Sequence, residues 1–233
     1  ITIVFGTNLF YYAVYEPSMS HVYSLAFISL FIWMILKYFR TFRPSFLYIS
    51  ALSLGITILI RPMNVLVVLS VPILAGDLNN LKQGMLHLVT KGKSILFSML
   101  LLLVPVMIQF LLYKLQTGSF LVYSYGDERF HFDQPHICKM LFSYRKGLFI
   151  YSPVLLLSFT GIIFVFKKTR LIAAFWLAFF LLLTYFLSSW HQWYYGGSFG
   201  SRVYIEYYGL FAILLGILLE NIKSKAFRQI MIS

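Results

Sequence analysis

The side chains that could do chemistry stand in short polar connections between long apolar runs. The densest connection, 190–202, concentrates aromatic rings and glycines and contains His191 and Arg202, with Glu206 just after it. Trp and Tyr rings by themselves would only anchor the chain at a membrane surface, and such anchoring requires neither the glycines nor the two charges. We therefore predict that this connection is part of a binding site.

A second polar connection, 115–147, is the longest in the chain. Long loops in a compact protein are usually functional. It contains two groups of candidate residues: Asp127, Glu128 and Asp133, and then Tyr144, Arg145 and Lys146. The three carboxylates are candidate ligands of a divalent metal ion, and the sequence suggests no other cofactor. Their spacing matches no strict metal-binding motif, and a solvated loop is the competing interpretation.

Basic side chains beside lipid can hold a lipid-linked phosphate. Arg145, Lys146 and Arg202 are predicted to do so, with Tyr144, His191 and Glu206 as further substrate-binding candidates. Two simpler interpretations stay open. Arg202 could pair with Glu206, which is four residues later on the same helical face, and His191 could be an ordinary hydrogen-bonded interfacial residue.

Glu16 and Arg61 are two further candidates, and each stands next to a proline. Glu16 is predicted to be an auxiliary acid or a metal contact, although an acid at a helix start is also favoured by the helix dipole. Arg61 precedes Pro62, which interrupts an apolar run. Irregular backbone at membrane depth usually lines a cavity, so we predict that Arg61 contacts phosphate rather than merely extending toward the interface.

Composition identifies the elements that must position these residues. Of 233 residues, 60% are hydrophobic and 11% are charged, which predicts an all-α, polytopic transmembrane helix bundle with the lipid bilayer as its partner. The net charge of +12 is distributed in small groups beside apolar runs. This pattern indicates membrane orientation and excludes a nucleic-acid partner.

The apolar runs predict about seven membrane-crossing segments in one transmembrane domain, 1–233, with outer loops at 115–147 and 190–202. The crossings are 19–39, 45–60, 63–75, 94–114, 148–166, 171–189 and 203–220. The second and third are short for a bilayer, so we expect a re-entrant or tilted pair that turns at Arg61 and Pro62. Because the chain starts without Met and 1–5 looks like the end of an earlier span, we expect a fragment of a longer protein.

Four short segments resemble bacterial multi-pass membrane glycosyltransferases of the GT-C type, which are related to protein mannosyltransferases and aminoarabinose transferases. The segments are GTNLFYY followed by EPSMSH at 6–21, LIRPMN at 59–64, FSYRKGLFIYSP at 142–153, and GGSFGSR at 196–202. The resemblance runs over most of the chain.

The resemblance implies an enzyme of the bacterial inner membrane. It would transfer a sugar from a polyprenyl-phosphate donor to a glycan, lipid or protein acceptor at the outer membrane face. The main catalytic acid would lie upstream of Ile1, so the fragment is expected to be inactive by itself. Two alternatives stay open: a transporter or flippase for lipid-linked glycans, and a polysaccharide polymerase or ligase. A transporter normally has ionisable residues deep within its spans and internal symmetry, and the sequence indicates neither.

The basic residues predict the orientation of the loops. If 45–75 turns back, the larger share of the 19 Lys and Arg residues falls on one side, which is then the cytoplasmic side. Reporters fused after Arg43, Gly84, Lys168 and Lys225 should therefore report the cytoplasm, and those after Asp127 and Ser198 the outside. An outside signal at Gly84 would instead show that 45–75 crosses only once.

Overall fold

The computed structural model of the protein describes residues 1–122, 126 and 128–222. Its α-helices are numbered in chain order: α1 Thr2–Phe5, α2 Leu9–Val14, α3 Ser20–Thr41, α4 Pro44–Ile60, α5 Val71–Ala75, α6 Leu78–Thr90, α7 Gly92–Thr117, α8 Ile137–Phe142, α9 Leu148–Tyr151, α10 Pro153–Phe159, α11 Ile162–Lys168, α12 Arg170–Ser188 and α13 Tyr208–Asn221. Two 3₁₀ helices, Pro62–Ser70 and Arg202–Tyr207, precede α5 and α13.

The all-α prediction is confirmed, since the described residues form no strand and only one isolated bridge pairs Phe130 with Trp190. Four helical segments are long and apolar enough to cross a membrane: Ser20–Thr41, Gly92–Thr117, Arg170–Ser188 and Arg202–Asn221. Their length and composition indicate a membrane protein. The seven crossings stay a prediction.

The shorter apolar runs are broken where the sequence contains proline or glycine. Pro62–Ala75 and Leu78–Thr90 together are apolar enough for a span but are bent by 119°. The run 148–166 is divided among α9, α10 and α11. Pro153 starts α10, because proline lacks the N–H that a continuing helix would need.

The helices form two compact units. The first unit contains Ile1–Leu25 and the described part of Arg129–Ser233, and the second contains Ala26–Glu128. Most of α3 therefore belongs to the second unit, whereas its first turns belong to the first.

The second unit is built on the close packing of α4 against α7. Gly55 permits this approach, because a Cβ atom at position 55 would collide with the backbone carbonyl of Leu102. Elsewhere α7 has little protein cover, since only 6% of its most apolar 18-residue stretch is buried. An apolar surface of this length is favourable in lipid and costly in water.

The core of the first unit lies between α12, α13 and the short helices before them. Gly161 has the same role as Gly55, since a Cβ there would meet the carbonyl of Leu214. Large aromatic side chains fill the space between these helices, and Phe180 contacts the rings of Phe159 and Phe211. This packing supports the loops at the polar ends of α12 and α13.

We predict that Gly55→Ala destabilises the protein by about 1–3 kcal/mol, which is typical of overpacking. The added methyl group must push α7 away from α4, and that cost exceeds the preference of a helix for Ala over Gly. Gly216→Ala in α13 is the matched control, because a Cβ there meets nothing within 4 Å. The measurement is the midpoint of thermal unfolding in detergent. A Gly55→Ala midpoint at or above that of Gly216→Ala would contradict the packing argument.

Candidate functional site

The connection 190–202 is held in place by two buried side chains of the N-terminal segment. Tyr12 accepts a hydrogen bond from the backbone N–H of Phe199 at 2.8 Å and donates to its carbonyl at 3.3 Å. Asn8 donates to the same carbonyl at 2.9 Å and accepts from the hydroxyl of Tyr208 at 2.6 Å. Tyr12 and Asn8 are 0% and 1% exposed. We call these contacts the Phe199 clamp.

Gly200 lets the connection pass directly over this clamp. Its φ angle is +62°, and a Cβ atom would lie 2.9 Å from Cβ of Tyr151 and 3.3 Å from the amide nitrogen of Asn8. Only glycine combines that conformation with that approach at low cost. The glycine therefore permits close packing over the clamp.

Lys146 is held against the same connection. Its ammonium group donates to both the carbonyl and the hydroxyl of Ser198, the latter at 2.7 Å. The turn before it is closed locally, since Ser143 accepts from the backbone N–H groups of Arg145 and Gly147. Lys146 is only 8% exposed, so its charge is largely removed from water.

Three positive charges converge at this point. Burial lowers the pKa of Lys146, and the charges of Arg202 and Arg145 lower it further, whereas Glu16 acts in the opposite direction. The guanidinium of Arg145 lies 3.4 Å from the centre of the Tyr194 ring, so its planar group stacks on an aromatic face. We call Arg145, Lys146 and Arg202 the cation cluster.

Arg202 keeps part of its hydrogen-bonding capacity unused. One terminal nitrogen lies 3.5 Å from the sulfur of Met19, which is a weak acceptor. The Nε atom is buried and has no hydrogen-bond partner. A buried donor without a partner is costly, so an acceptor from a bound molecule would stabilise it.

Glu16 is a carboxylate whose charge acts on Lys146 of the cation cluster. Its Oε1 accepts a hydrogen bond from Tyr11 at 2.9 Å, and this bond is the largest cause of the raised pKa of Tyr11. Its Oε2 is buried without a partner. The carboxylate is thus oriented by one oxygen while the other is available to accept a proton or a hydrogen bond.

Glu206 is paired with His21. Glu206 Oε1 lies 2.7 Å from His21 Nδ1, and the two side chains are 2% and 4% exposed. A carboxylate buried this deeply needs such a partner. The pair fixes the start of α3 to the start of the last candidate span, so a positioning role explains both residues.

The described contacts of Tyr144 and His191 do not involve the cation cluster. The Tyr144 side chain is 89% exposed, and it is the carbonyl of Tyr144 that accepts a hydrogen bond from Tyr151. The backbone N–H of His191 donates to the carbonyl of Arg129, and its ring lies edge-on to Trp190. Their substrate-binding roles stay predictions.

The remaining candidates are Arg61 and the acidic loop residues. Arg61 lies in the second unit with extended backbone between α4 and Pro62–Ser70, so the predicted break is present. Glu128 and Asp133 are exposed, and Asp127 lies outside the described residues. Within the described ranges, no three His, Cys, Asp or Glu side chains form a group that could hold a metal ion. The metal ion stays a prediction.

The sequence did not single out the residues of the clamp. Asn8 and Tyr12 stand in the motif 6–12, and that motif by itself assigns them no partner. The signal that could have identified them is the presence of two distant motifs: 6–12 has Asn and Tyr side chains that can hydrogen-bond to backbone, and 196–202 is a glycine- and serine-rich backbone segment.

In comparisons with known proteins, no family model, curated sequence or solved structure matches this chain.

We predict that Tyr12→Phe destabilises the protein by about 1–3 kcal/mol, since it leaves the N–H of Phe199 without its partner. Tyr15→Phe is the matched control, because Tyr15 is 70% exposed and its loss should change stability by less than about 0.5 kcal/mol. Thermal unfolding in detergent measures both. Equal midpoints for the two variants would show that the clamp contributes nothing measurable.

Proposed function

We propose that the first unit binds the phosphate of a lipid-linked sugar and that the protein is a membrane glycosyltransferase using a polyprenyl-phosphate donor. The observation that carries this proposal is the cation cluster, in which Arg202 has a buried Nε atom without a partner beside two further positive charges. Repulsion between like charges held close together raises the free energy of the folded protein unless an anion binds between them.

A phosphate group suits this cluster better than a monatomic anion such as chloride. It offers several acceptor oxygens, so it can receive hydrogen bonds from a guanidinium fork and an ammonium group together. Binding it would also raise the pKa of Lys146 back toward its ordinary value. Affinity should therefore fall as the pH rises through the lowered pKa of free Lys146, at a lower pH than for an ordinary lysine.

The position of Arg202 along the chain supports a lipid-linked ligand. Arg202 begins the candidate span Arg202–Asn221, and Glu16 lies just before the candidate span Ser20–Thr41. Residues at the ends of membrane spans are at the depth of lipid headgroups. A phosphate joined to a long apolar chain would reach that depth with its chain in the bilayer.

In the proposed reaction the cation cluster stabilises the charge that develops on the leaving phosphate. An acceptor hydroxyl attacks the anomeric carbon, the bond from that carbon to the phosphate oxygen breaks with its electron pair going to the phosphate, and the hydroxyl proton passes to a carboxylate. Glu16 would assist as the auxiliary acidic residue, with its carboxylate accepting that proton. The phosphate contact predicted for Arg61, in the second unit, stays a separate prediction.

The test is binding of a short-chain polyprenyl phosphate to the protein in detergent, compared with the corresponding alcohol. Arg202→Gln should weaken phosphate binding about 10- to 100-fold, since a charge-assisted hydrogen bond is worth about 1.5–3 kcal/mol. Arg202→Lys should recover only part, because a point charge lacks the guanidinium fork. Binding of the alcohol should not change.

Arg170→Gln is the matched control, because Arg170 is an exposed arginine that begins a candidate span without belonging to the cluster. It should bind the phosphate as well as the unchanged protein does. If Arg202→Gln and Arg170→Gln bound the phosphate equally well, with both proteins folded, the phosphate would have to bind elsewhere.

A further inference from the structure

A second concentration of positive charge lies in the second unit, at the end where α3 finishes and α7 begins. The hydroxyl of Tyr38, near the end of α3, donates to the carbonyl of Gly84 in α6 at 2.8 Å. The rings of Tyr38 and Phe42 also contact the ring of His87. These contacts hold α6 beside the end of α3, and Lys91 then leads from α6 into α7.

This end of the second unit carries six basic residues: Lys37, Arg40, Arg43, Lys82, Lys91 and Lys93. Lys37 lies partly covered, 5.8 Å from the centre of the exposed Trp33 ring; the other five are exposed. Within the part of the chain that the structure describes, none of the six forms an ion pair. The one carboxylate described nearby, Asp77, is used to cap α6 through the N–H of Asn80 at 2.8 Å. Among the described residues, no ion pair neutralises this charge.

Helix α6 has three distinct faces. Leu81 and Gly84 are buried, with Gly84 packed against Phe39. Next to this buried face runs an exposed apolar stripe, defined here as Leu78, Met85, Leu86 and Val89, which are 39%, 54%, 64% and 74% exposed. The polar side chains flank the stripe on the side away from the buried face: Asn79, Gln83 and Thr90.

The geometry of the unit indicates what covers the stripe. The 119° bend after Pro62–Ala75 turns α6 away from the direction of the helix before it. A helix with a buried face, an apolar face and a polar face, flanked by lysines, is typical of a helix lying in the membrane interface. Lys82 stands within the stripe, where a lysine can lay its methylene groups on lipid and raise its ammonium group to the headgroups.

We propose that α6 lies in the membrane interface and that the six basic residues form a binding surface for anionic lipid headgroups. The stripe is immersed among acyl chains, and the lysines contact lipid phosphates. This surface is independent of the cation cluster in the first unit. It makes the second unit selective for anionic over zwitterionic lipid.

Depth is tested by spin labels on the whole protein reconstituted in vesicles of phosphatidylglycerol and phosphatidylcholine. The exposed Cys138 is first replaced in a Cys138→Ser background. Labels at Met85→Cys and Val89→Cys should be relaxed more by oxygen than by a water-soluble nickel chelate, and a label at Gln83→Cys should show the reverse. Labels at 85 and 89 that are relaxed mainly by the nickel chelate would overturn the interfacial placement.

Lipid selectivity is tested with a fluorophore at Val89→Cys that is quenched by brominated phosphatidylglycerol or brominated phosphatidylcholine. Lys82→Gln should lower the preference for phosphatidylglycerol about five-fold, the factor that corresponds to about 1 kcal/mol per basic residue at an anionic surface. Lys91→Gln with Lys93→Gln should lower it further. The loss should also be produced by high salt.

Lys139→Gln is the matched control, since Lys139 is an exposed lysine of α8 in the first unit. It should leave the selectivity unchanged. Equal quenching by the two lipids in the unchanged protein would overturn the headgroup site. Labels at 85 and 89 shielded from both oxygen and nickel, together with cross-linking between copies, would show that a second copy of the chain covers the stripe instead.

Discussion

The hydrogen bonds between Tyr12 and the backbone of Phe199 hold together the part of the structure that could bind a substrate. The Tyr12 side chain is buried and the contact is partly shielded from water, so breaking it costs the backbone N–H of Phe199 its partner within the protein. Ser198, one residue earlier, then receives Lys146, and Arg202 follows three residues later. The Phe199 clamp thus helps to set the position of the cation cluster.

Electrostatic repulsion within the cation cluster favours the binding of an anion. A protein at a membrane surface can keep isolated basic residues solvated at little cost. For Lys146, burial lowers the pKa first, and the charges of Arg202 and Arg145 lower it further. Such an arrangement is unfavourable until an anion is bound. The same residues would be needed to stabilise a phosphate that gains negative charge as it leaves, so binding and the proposed chemistry use one device.

The bilayer acts as the solvent for the second unit. Helix α7 exposes apolar side chains along most of its length, and α6 exposes a narrower apolar stripe beside lysines. In water both surfaces would favour aggregation, whereas in lipid the first is covered by acyl chains and the second by the interface. Glycines at the helix contacts, such as Gly55, allow the helix backbones to approach closely.

The sequence by itself determined the membrane class, the all-α fold, the candidate spans that begin at Ser20, Gly92, Arg170 and Arg202, and the break at Pro62, because hydropathy and proline geometry act locally. It also singled out Glu16, Lys146 and Arg202 by residue type. Only the tertiary structure decided their partners. Tyr12 meets Phe199 across 187 residues and His21 meets Glu206 across 185. No local pattern encodes such contacts, because they form only once the helices between them have packed.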